Sequence, residues 1–191
     1  MLDGEEHVVE LAVRGEASAF GALYDHYQPK IFRYIVVQLR RREEAEDLTH
    51  QVFLHAWVNI RRYRNLGFPF SSWLYRIARN QIVDHFRTEK QHFAIEDLNP
   101  GDEPHDAGVE PGVALKFDTE RVQAALRSLK PQYRDVILMR FVEELSTKET
   151  AAAIGKSEGA VKLIQHRAFK ELKKILDPAG QTLTIPDESE S

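Results

Sequence analysis

Apolar residues recur every three to four positions over most of the chain, which is the spacing of an α-helix with one buried face. From Ala17 to about Lys90 the repeat includes Phe20, Leu23, Tyr24, Tyr27, Ile31, Ile35, Leu48, Val52 and Ala56. The same spacing resumes at Phe117 and continues to about Leu176. The pattern predicts an all-α fold with two small helical domains.

The stretch between the two helical segments has a different composition. Residues 99–112 contain three prolines and three glycines, and residues 93–115 hold six Asp or Glu and no Lys or Arg. Such a segment cannot bury enough apolar surface to offset the entropy lost on ordering. We therefore expect a first domain over 1–92, a flexible acidic linker over 93–116, a second domain over 117–176 and a disordered tail over 177–191.

Gly67, Phe68 and Pro69 interrupt the helical repeat of the first domain. Proline cannot donate a hydrogen bond to a helix, and it disfavours helical angles in the residue before it. A new helix is expected directly after this break. Ser71 or Ser72 can cap its first turn.

The end of the second domain has the pattern of a helix-turn-helix. Ser146 and Glu149 form a capping box that opens a short helix, and Gly155 suits the left-handed conformation that ends it. Ser157 can cap the longer helix that follows. One face of that helix holds Lys162, Leu163, His166, Arg167 and Lys170. In DNA-binding proteins the second helix of this motif enters the major groove, although a plain solvated basic face is the alternative.

The net charge of −4 conceals two basic blocks. Residues 61–90 carry seven Lys or Arg against two Asp or Glu, and residues 116–176 carry thirteen against eight. Clustered cations are what binds a phosphate backbone, because they release its counterions. The charge map therefore suits two DNA-facing modules joined by an acidic tether.

Composition excludes several other classes of protein. The chain has no cysteine, so disulfides, thiol catalysis and thiolate zinc sites are absent, and its eight histidines form no HExxH motif. We expect no cofactor and no metal. No run approaches the ~18 apolar residues of a membrane span, and the N-terminus, with Asp3, Glu5 and Glu6, lacks the basic start of a signal peptide. We expect a cytoplasmic protein without membrane insertion.

The longer helix of the second domain carries a family resemblance. Its residues Ser157, Gly159, Val161, Lys162, His166, Arg167 and Ala168 resemble the recognition helix of the sigma-70 family in its extracytoplasmic-function form. Leu129, Lys130 and Pro131 resemble the start of the same domain, sigma domain four. The resemblance implies that this helix reads the minus-thirty-five promoter element. The expected DNA-binding residues there are Ser157, Lys162, Leu163, His166 and Arg167.

A segment of the first domain resembles the sigma helix that docks on the clamp helices of the polymerase's largest subunit. The segment runs from Ala45 to Trp57. Helical geometry places Asp47, Gln51, Leu54 and Val58 on one stripe. A stripe that mixes an acid, an amide and aliphatic side chains suits a protein interface, and an ordinary amphipathic surface is the alternative. We expect these four residues to bind core RNA polymerase.

Residues 70–80, with Asp84 and Arg87, resemble the sigma helix that meets the minus-ten promoter element. On a helical wheel Arg76, Arg79, Asn80 and Arg87 share one sector, where they can line a phosphate backbone. Trp73 and Tyr75 either belong to the core or stack on bases. By the same resemblance the preceding loop, with Arg61, Arg62 and Arg64, forms a pocket for an unstacked base of the opened strand. A generic basic loop is the alternative.

The resemblance as a whole implies a bacterial RNA polymerase sigma factor, a non-enzymatic protein that directs core polymerase to promoters and helps to open them. Its partners would be the polymerase core and promoter DNA. Members of the family are commonly held inactive by an anti-sigma protein, which is a further candidate partner. Two alternatives are a stand-alone helix-turn-helix regulator and a phosphoester-cleaving enzyme with a metal at the acids of residues 43–47. The helix macrodipole explains those acids adequately.

Overall fold

The protein is described by a computed structural model that covers residues 4–39, 41–65, 67–95 and 120–176. Over these ranges the chain forms eight α-helices and no β-strand, which confirms the all-α prediction. The helices are α1 (Glu5–Arg14), α2 (Ala17–Val36), α3 (Arg42–Asn59), α4 (Phe70–Ile95), α5 (Glu120–Ser128), α6 (Pro131–Ile137), α7 (Thr147–Ile154) and α8 (Glu158–Leu176). A 3-10 turn at Ile60–Arg62 follows α3, and a π-helical segment at Leu138–Val142 follows α6.

Helices α1 to α4 form the first helical unit, in which α2 packs against α1, α3 and α4. Its core consists of apolar residues at the helically spaced positions that the sequence pattern predicted. Fully buried members include Leu23, Ile31, Ile35, Val52 and Leu74. Helix α1 lies before Ala17, where the predicted repeat began, and it buries Val9 and Ala12 against the same core.

Helices α5 to α8 form the second helical unit, in which α8 packs across α5, α6 and α7. The predicted caps of the helix-turn-helix are confirmed. Ser146 Oγ accepts a hydrogen bond from the Glu149 amide at 3.1 Å, and the Glu149 carboxylate accepts one from the Ser146 amide at 2.6 Å. Gly155 ends α7 in the left-handed region with φ 66°. Ser157 Oγ accepts from the Ala160 amide at 3.2 Å, at the start of α8.

The predicted cap of α4 is wrong. The helix begins at Phe70, so Ser71 and Ser72 lie inside its first turn, and both are buried. The Ser72 amide instead donates to the carbonyl of Pro69 at 3.1 Å. Phe70 is buried among aromatic rings, including that of Tyr27 at 5.7 Å between centroids. This aromatic packing explains why the helix starts one residue before the serines.

The two helical units are packed against each other. Helix α7 contacts α4, and the π-helical segment contacts α2. Buried apolar residues of both units belong to one continuous cluster. Helix α4 runs to Ile95, three residues beyond the predicted domain end at 92. The remainder of the predicted linker, 96–116, and the predicted tail, 177–191, lie outside the described residues.

Among the described helices, none combines the length and the apolar character that crossing a lipid bilayer requires.

Candidate nucleic-acid interface

The stripe predicted on α3 lies on the surface of the protein. Asp47, Gln51, Leu54 and Val58 are all exposed, and the two aliphatic side chains retain 63% and 69% of their accessible area. The opposite face of α3 is buried against α2 and α4. Trp57, which is 40% exposed, adds to the same apolar patch. The four predicted residues therefore share one solvent-facing surface that no part of the described chain covers.

The four residues predicted to form a polar sector on α4 differ in their exposure to solvent. Arg76, Asn80 and Arg87 are exposed, whereas Leu74, Ala78 and Ile82 on the other side are buried. Arg87 also lies 3.1 Å from the carboxylate of Asp84, in a pair in which both side chains are exposed. Such a surface pair contributes little stability and leaves the guanidinium accessible.

Arg79 differs from the other members of its sector. Its side chain is 29% exposed, and its Nε donates to Asp135 Oδ2 at 2.8 Å. Asp135 belongs to α6 of the second helical unit. Arg79, which was predicted to contact a phosphate, is therefore paired with a carboxylate of the same chain.

The loop before α4 presents the predicted arginines around a cluster of aromatic rings. Arg61, Arg62 and Arg64 are exposed. The rings of Tyr63 and Trp73 lie 5.2 Å apart, centroid to centroid. Trp73 is half-buried in this cluster, whereas Tyr75 is fully buried, so of the two only Trp73 has a face near the loop surface.

A cavity of about 640 Å³ opens between this loop and α1. One wall holds Tyr63, Phe68 and Phe70, and the other holds acidic residues of α1 that include Glu6 and Glu10. The volume lies in the range of pockets that hold small ligands. Sequence reasoning missed the α1 wall. The apolar spacing of Val9, Ala12 and Val13 was the signal that could have revealed the helix.

The predicted recognition face of α8 is exposed as a whole. Lys162, His166 and Arg167 point to solvent, and Leu163 retains 50% of its accessible area. On the opposite face Val161 and Ala168 are completely buried. Ser157 is also exposed, although its hydroxyl already caps the helix.

Two carboxylates that sequence reasoning missed join the two helical units. The hydroxyl of Tyr34 donates to Asp135 Oδ1 at 2.8 Å, opposite the bond from Arg79. Burial raises the pKa of Tyr34 well above its usual value, so the phenol stays protonated and acts as the donor. Burial also raises the pKa of Asp135, although the bonds from Tyr34 and Arg79 favour its charged form.

The second carboxylate belongs to Glu143, directly after the π-helical segment. Arg33 forms a double hydrogen bond with it, from Nε at 2.8 Å and from a terminal nitrogen at 2.7 Å. The hydroxyl of Tyr75 donates to the same carboxylate at 2.8 Å. Burial raises the pKa of Tyr75 well above its usual value, which again keeps the phenol protonated.

The acids at the start of α3 form surface ion pairs. Glu44 lies 3.6 Å from Arg41, and Glu46 lies 3.0 Å from Arg42. Within residues 4–39, 41–65, 67–95 and 120–176, no three His, Asp or Glu side chains are grouped closely enough to hold a metal ion.

Comparison with protein families gives two matches in chain order. Residues 23–92 match Sigma-70 region 2, and residues 119–172 match Sigma-70 region 4. The first match contains the α3 stripe, the loop before α4 with its aromatic rings, and most of α4. The second contains α5 to α7 and most of α8.

Curated relatives match along most of the chain. The ECF RNA polymerase sigma factor BldN of Streptomyces coelicolor is 37% identical over 172 residues, which cover 88% of this chain and 64% of the relative. The ECF RNA polymerase sigma factor SigD of Mycobacterium tuberculosis is 33% identical over 180 residues, which cover 91% of this chain and 84% of the relative. The chain thus spans just under two thirds of the Streptomyces relative and most of the mycobacterial one.

Solved structures share the fold. CnrH, in complex with the cytosolic domain of CnrY, aligns over 92% of this chain and 98% of its own with a TM-score of 0.69 and 22% identity. The sigma factor RpoE of Bartonella quintana, in complex with the anti-sigma factor NepR, aligns over 84% of this chain and 98% of its own with a TM-score of 0.70 and 21% identity.

Proposed function

Because the chain belongs to the sigma-70 family, among its extracytoplasmic-function RNA polymerase sigma factors, we propose that it directs core polymerase to promoters through three separate exposed surfaces. These are the α3 stripe, the aromatic loop with α4, and the outer face of α8. The observation that most supports this division is that each surface lies within a matching family region and that its predicted contact residues, apart from Arg79, face solvent. Recruitment and strand opening by this route need no covalent chemistry from the protein.

The α3 stripe would bind the polymerase core. Leu54 and Val58 supply apolar area, and Asp47 and Gln51 supply polar contacts at its edge. This mixture of an apolar centre and a polar rim is typical of protein interfaces.

The loop and α4 would hold the opened minus-ten strand. Arg61, Arg62 and Arg64 can follow the phosphates, and Arg76 with Asn80 can continue this track along α4. The cavity beside Tyr63 has the size and the aromatic wall to receive one unstacked base. Cationic and stacking surfaces that adjoin in this way suit a single strand.

Helix α8 would enter the major groove of the minus-thirty-five element. Lys162 and Arg167 suit phosphate or guanine contacts, and Leu163 can meet a thymine methyl group. Each module covers a small interface, so the affinity for free DNA should be weak without the polymerase.

A regulator that binds DNA alone is not favoured, because such a protein has no need of a region 2 or of the α3 stripe. We further propose an anti-sigma protein as a partner, by analogy with the complex of RpoE and NepR. We expect the protein to act in the cytoplasm, where the polymerase is found.

The proposed role of α4 is tested by Arg76→Ala. We expect a loss of promoter opening, measured by permanganate reactivity of the minus-ten strand, with unchanged binding to core polymerase. Arg41→Ala is the matched control, because Arg41 is also an exposed arginine but lies directly before α3 and not on α4. Promoter opening should be unchanged in this control. An equal loss of polymerase binding in Arg76→Ala would contradict the assignment.

A further inference from the structure

The cavity beside Tyr63 has two walls of different chemistry. The loop and the start of α4 supply the aromatic wall, with Tyr63, Phe68 and Phe70. Helix α1 supplies the other wall, and its exposed members include the carboxylates of Glu6 and Glu10. A base that enters the cavity therefore meets aromatic rings on one side and hydrogen-bond acceptors on the other.

The aromatic wall is held in place by contacts within the chain. The ring of Tyr63 lies 5.6 Å from that of Phe70, centroid to centroid. Burial and the nearby carboxylates of Glu5 and Glu6 raise the pKa of Tyr63. The phenol therefore stays protonated, and its hydroxyl donates to the carbonyl of Phe68 at 3.4 Å. Rings that are held in this way offer a stacking surface to an unstacked base.

The α1 wall is held in place as well. The hydroxyl of Tyr27 on α2 donates to the buried carboxylate of Glu5 at 2.7 Å. At the end of α1 the guanidinium of Arg61 lies against Gly15, where a Cβ atom would come within 2.9 Å of a terminal nitrogen. Gly15 also has a φ of 99°, a conformation that favours glycine. Because α1 is fixed against α2 and the 3-10 turn, its carboxylates keep a set position at the cavity.

Two carboxylates of α1 have unused capacity for hydrogen bonds. Glu6 and Glu10 are one helical turn apart, and both are exposed. Within the described residues neither side chain forms a hydrogen bond or an ion pair. A carboxylate at neutral pH accepts hydrogen bonds and donates none. This part of the cavity therefore favours a ligand edge that carries N–H donors.

Asn65 presents a donor to the same cavity. Its Oδ1 accepts a hydrogen bond from the amide of Gly67 at 3.0 Å. This bond orients the side-chain amide and leaves its Nδ2 available to donate. A base that fits the cavity must therefore supply an acceptor as well as N–H donors.

Thymine is the DNA base that meets these requirements least well. Adenine, cytosine and guanine each carry an exocyclic amino group together with an acceptor on the same edge. Thymine has no amino group, and its single ring N–H lies between two carbonyl oxygens, which a carboxylate repels. Acceptors on α1 therefore disfavour thymine relative to the other bases.

The charges around the cavity favour a base over a phosphate or a free cation. The carboxylates of α1 repel a phosphate, whereas Arg14 and Arg64, which also line the cavity, repel a cation. A base edge is neutral and avoids both repulsions. The phosphate of the same nucleotide can meanwhile pair with Arg64, which is exposed.

We propose that Glu6, Glu10 and Asn65 select the unstacked base of the minus-ten strand, so that the cavity takes a base with an exocyclic amino group and rejects thymine. The selection rests on the proposed function, because that function assigns the cavity to a base. Helix α1 precedes residues 23–92, which match Sigma-70 region 2, so both glutamates lie outside the family match.

Binding to pre-melted DNA tests this selection. Holoenzyme assembled from the full chain and core polymerase is mixed with bubble templates whose upstream duplex and nontemplate strand are randomised, and the bound DNA is sequenced. The variant is Glu6→Gln/Glu10→Gln, because an amide can donate to a carbonyl oxygen as well as accept. All the substituted positions are exposed, so the fold should be retained.

The matched control is Glu16→Gln/Asp25→Asn. It removes the same number of exposed carboxylates from positions that do not line the cavity. Any change that follows from net charge alone should therefore appear in the control as well.

With the unaltered chain we expect thymine to be depleted roughly tenfold at one position of the bound nontemplate strand, the effect of one good base contact. In Glu6→Gln/Glu10→Gln this depletion should disappear at that position. The control should keep it.

The absence of any thymine-depleted position with the unaltered chain would overturn selection by the cavity. Depletion that persists in Glu6→Gln/Glu10→Gln, or that the control also loses, would overturn the role of the two glutamates. If the holoenzyme retains no more bubble DNA than core polymerase alone, the proposed function fails and the base selection fails with it.

Discussion

Leu54 and Leu163 are two leucines left in solvent on different helices, at 63% and 50% exposure. A single exposed leucine is common on protein surfaces and needs no special explanation. Leu54, however, adjoins exposed Val58 and Trp57, whereas Leu163 stands among cations on α8. The same residue type therefore serves two different proposed contacts, one with protein and one with DNA.

Leu54→Ala should weaken association with core polymerase. Loss of an interface leucine is expected to cost about 1–2 kcal/mol of binding free energy, or roughly five- to thirtyfold in Kd. Protein stability should change by less than about 0.5 kcal/mol, because the side chain is exposed. Fluorescence anisotropy with labelled core polymerase measures the change. Leu163→Ala is the control, and an equal effect in both variants would contradict the assignment of the α3 stripe.

Lys162→Ala should weaken binding to the upstream promoter element by about the same factor for every sequence tested. A lysine that contacts phosphate releases about one counterion, so the slope of log affinity against log salt should become shallower by about 0.9. Titration of promoter DNA with holoenzyme at several salt concentrations measures this slope. Lys174→Ala, in the last turn of α8, should leave the slope unchanged. A loss confined to some sequences would mean that Lys162 contacts a base.

The positions of some helix termini are determined by nearby residues in the sequence, and the positions of others are determined by tertiary packing. The capping box at Ser146, the left-handed Gly155 and the cap at Ser157 were all predictable, because each depends on residues within four positions. The start of α4 was not, since the burial of Phe70 among distant rings decides it. The π-helical segment had no local signal either, and its end places Glu143 against α2 and α4.

Ser146→Ala should destabilise the second helical unit by about 1 kcal/mol, the usual cost of losing a helix cap. The variant loses the Ser146 Oγ that accepts from the Glu149 amide, whereas the backbone amide of residue 146 can still donate to the Glu149 carboxylate. Unfolding in urea, monitored by circular dichroism at 222 nm, measures the effect, and we expect a lower urea midpoint for the variant. Thr147→Ala changes the adjacent hydroxyl outside the capping box and should have a smaller effect. Equal midpoints for Ser146→Ala and the unaltered chain would show that the capping box contributes no stability.

At the scale of the whole molecule, the sequence pattern predicted the helical character of both units and the exposed faces of α3 and α8, but neither α1 nor how the two units pack. Tyr34 and Asp135 are 101 positions apart, and no local periodicity connects them. Asp135 precedes a run of buried apolar residues, and a charge at such a position was a signal that a distant partner exists. The partner's identity depends on tertiary packing.

Transcription in vitro tests the central claim most directly. Purified core polymerase is supplied with this protein and a library of genomic fragments from the organism that encodes it, and the transcripts are sequenced. Initiation at a discrete set of start sites that share an upstream and a downstream element, and that vanish without the protein, is the predicted result. Absence of binding to core polymerase, or no added initiation on any template, would contradict it.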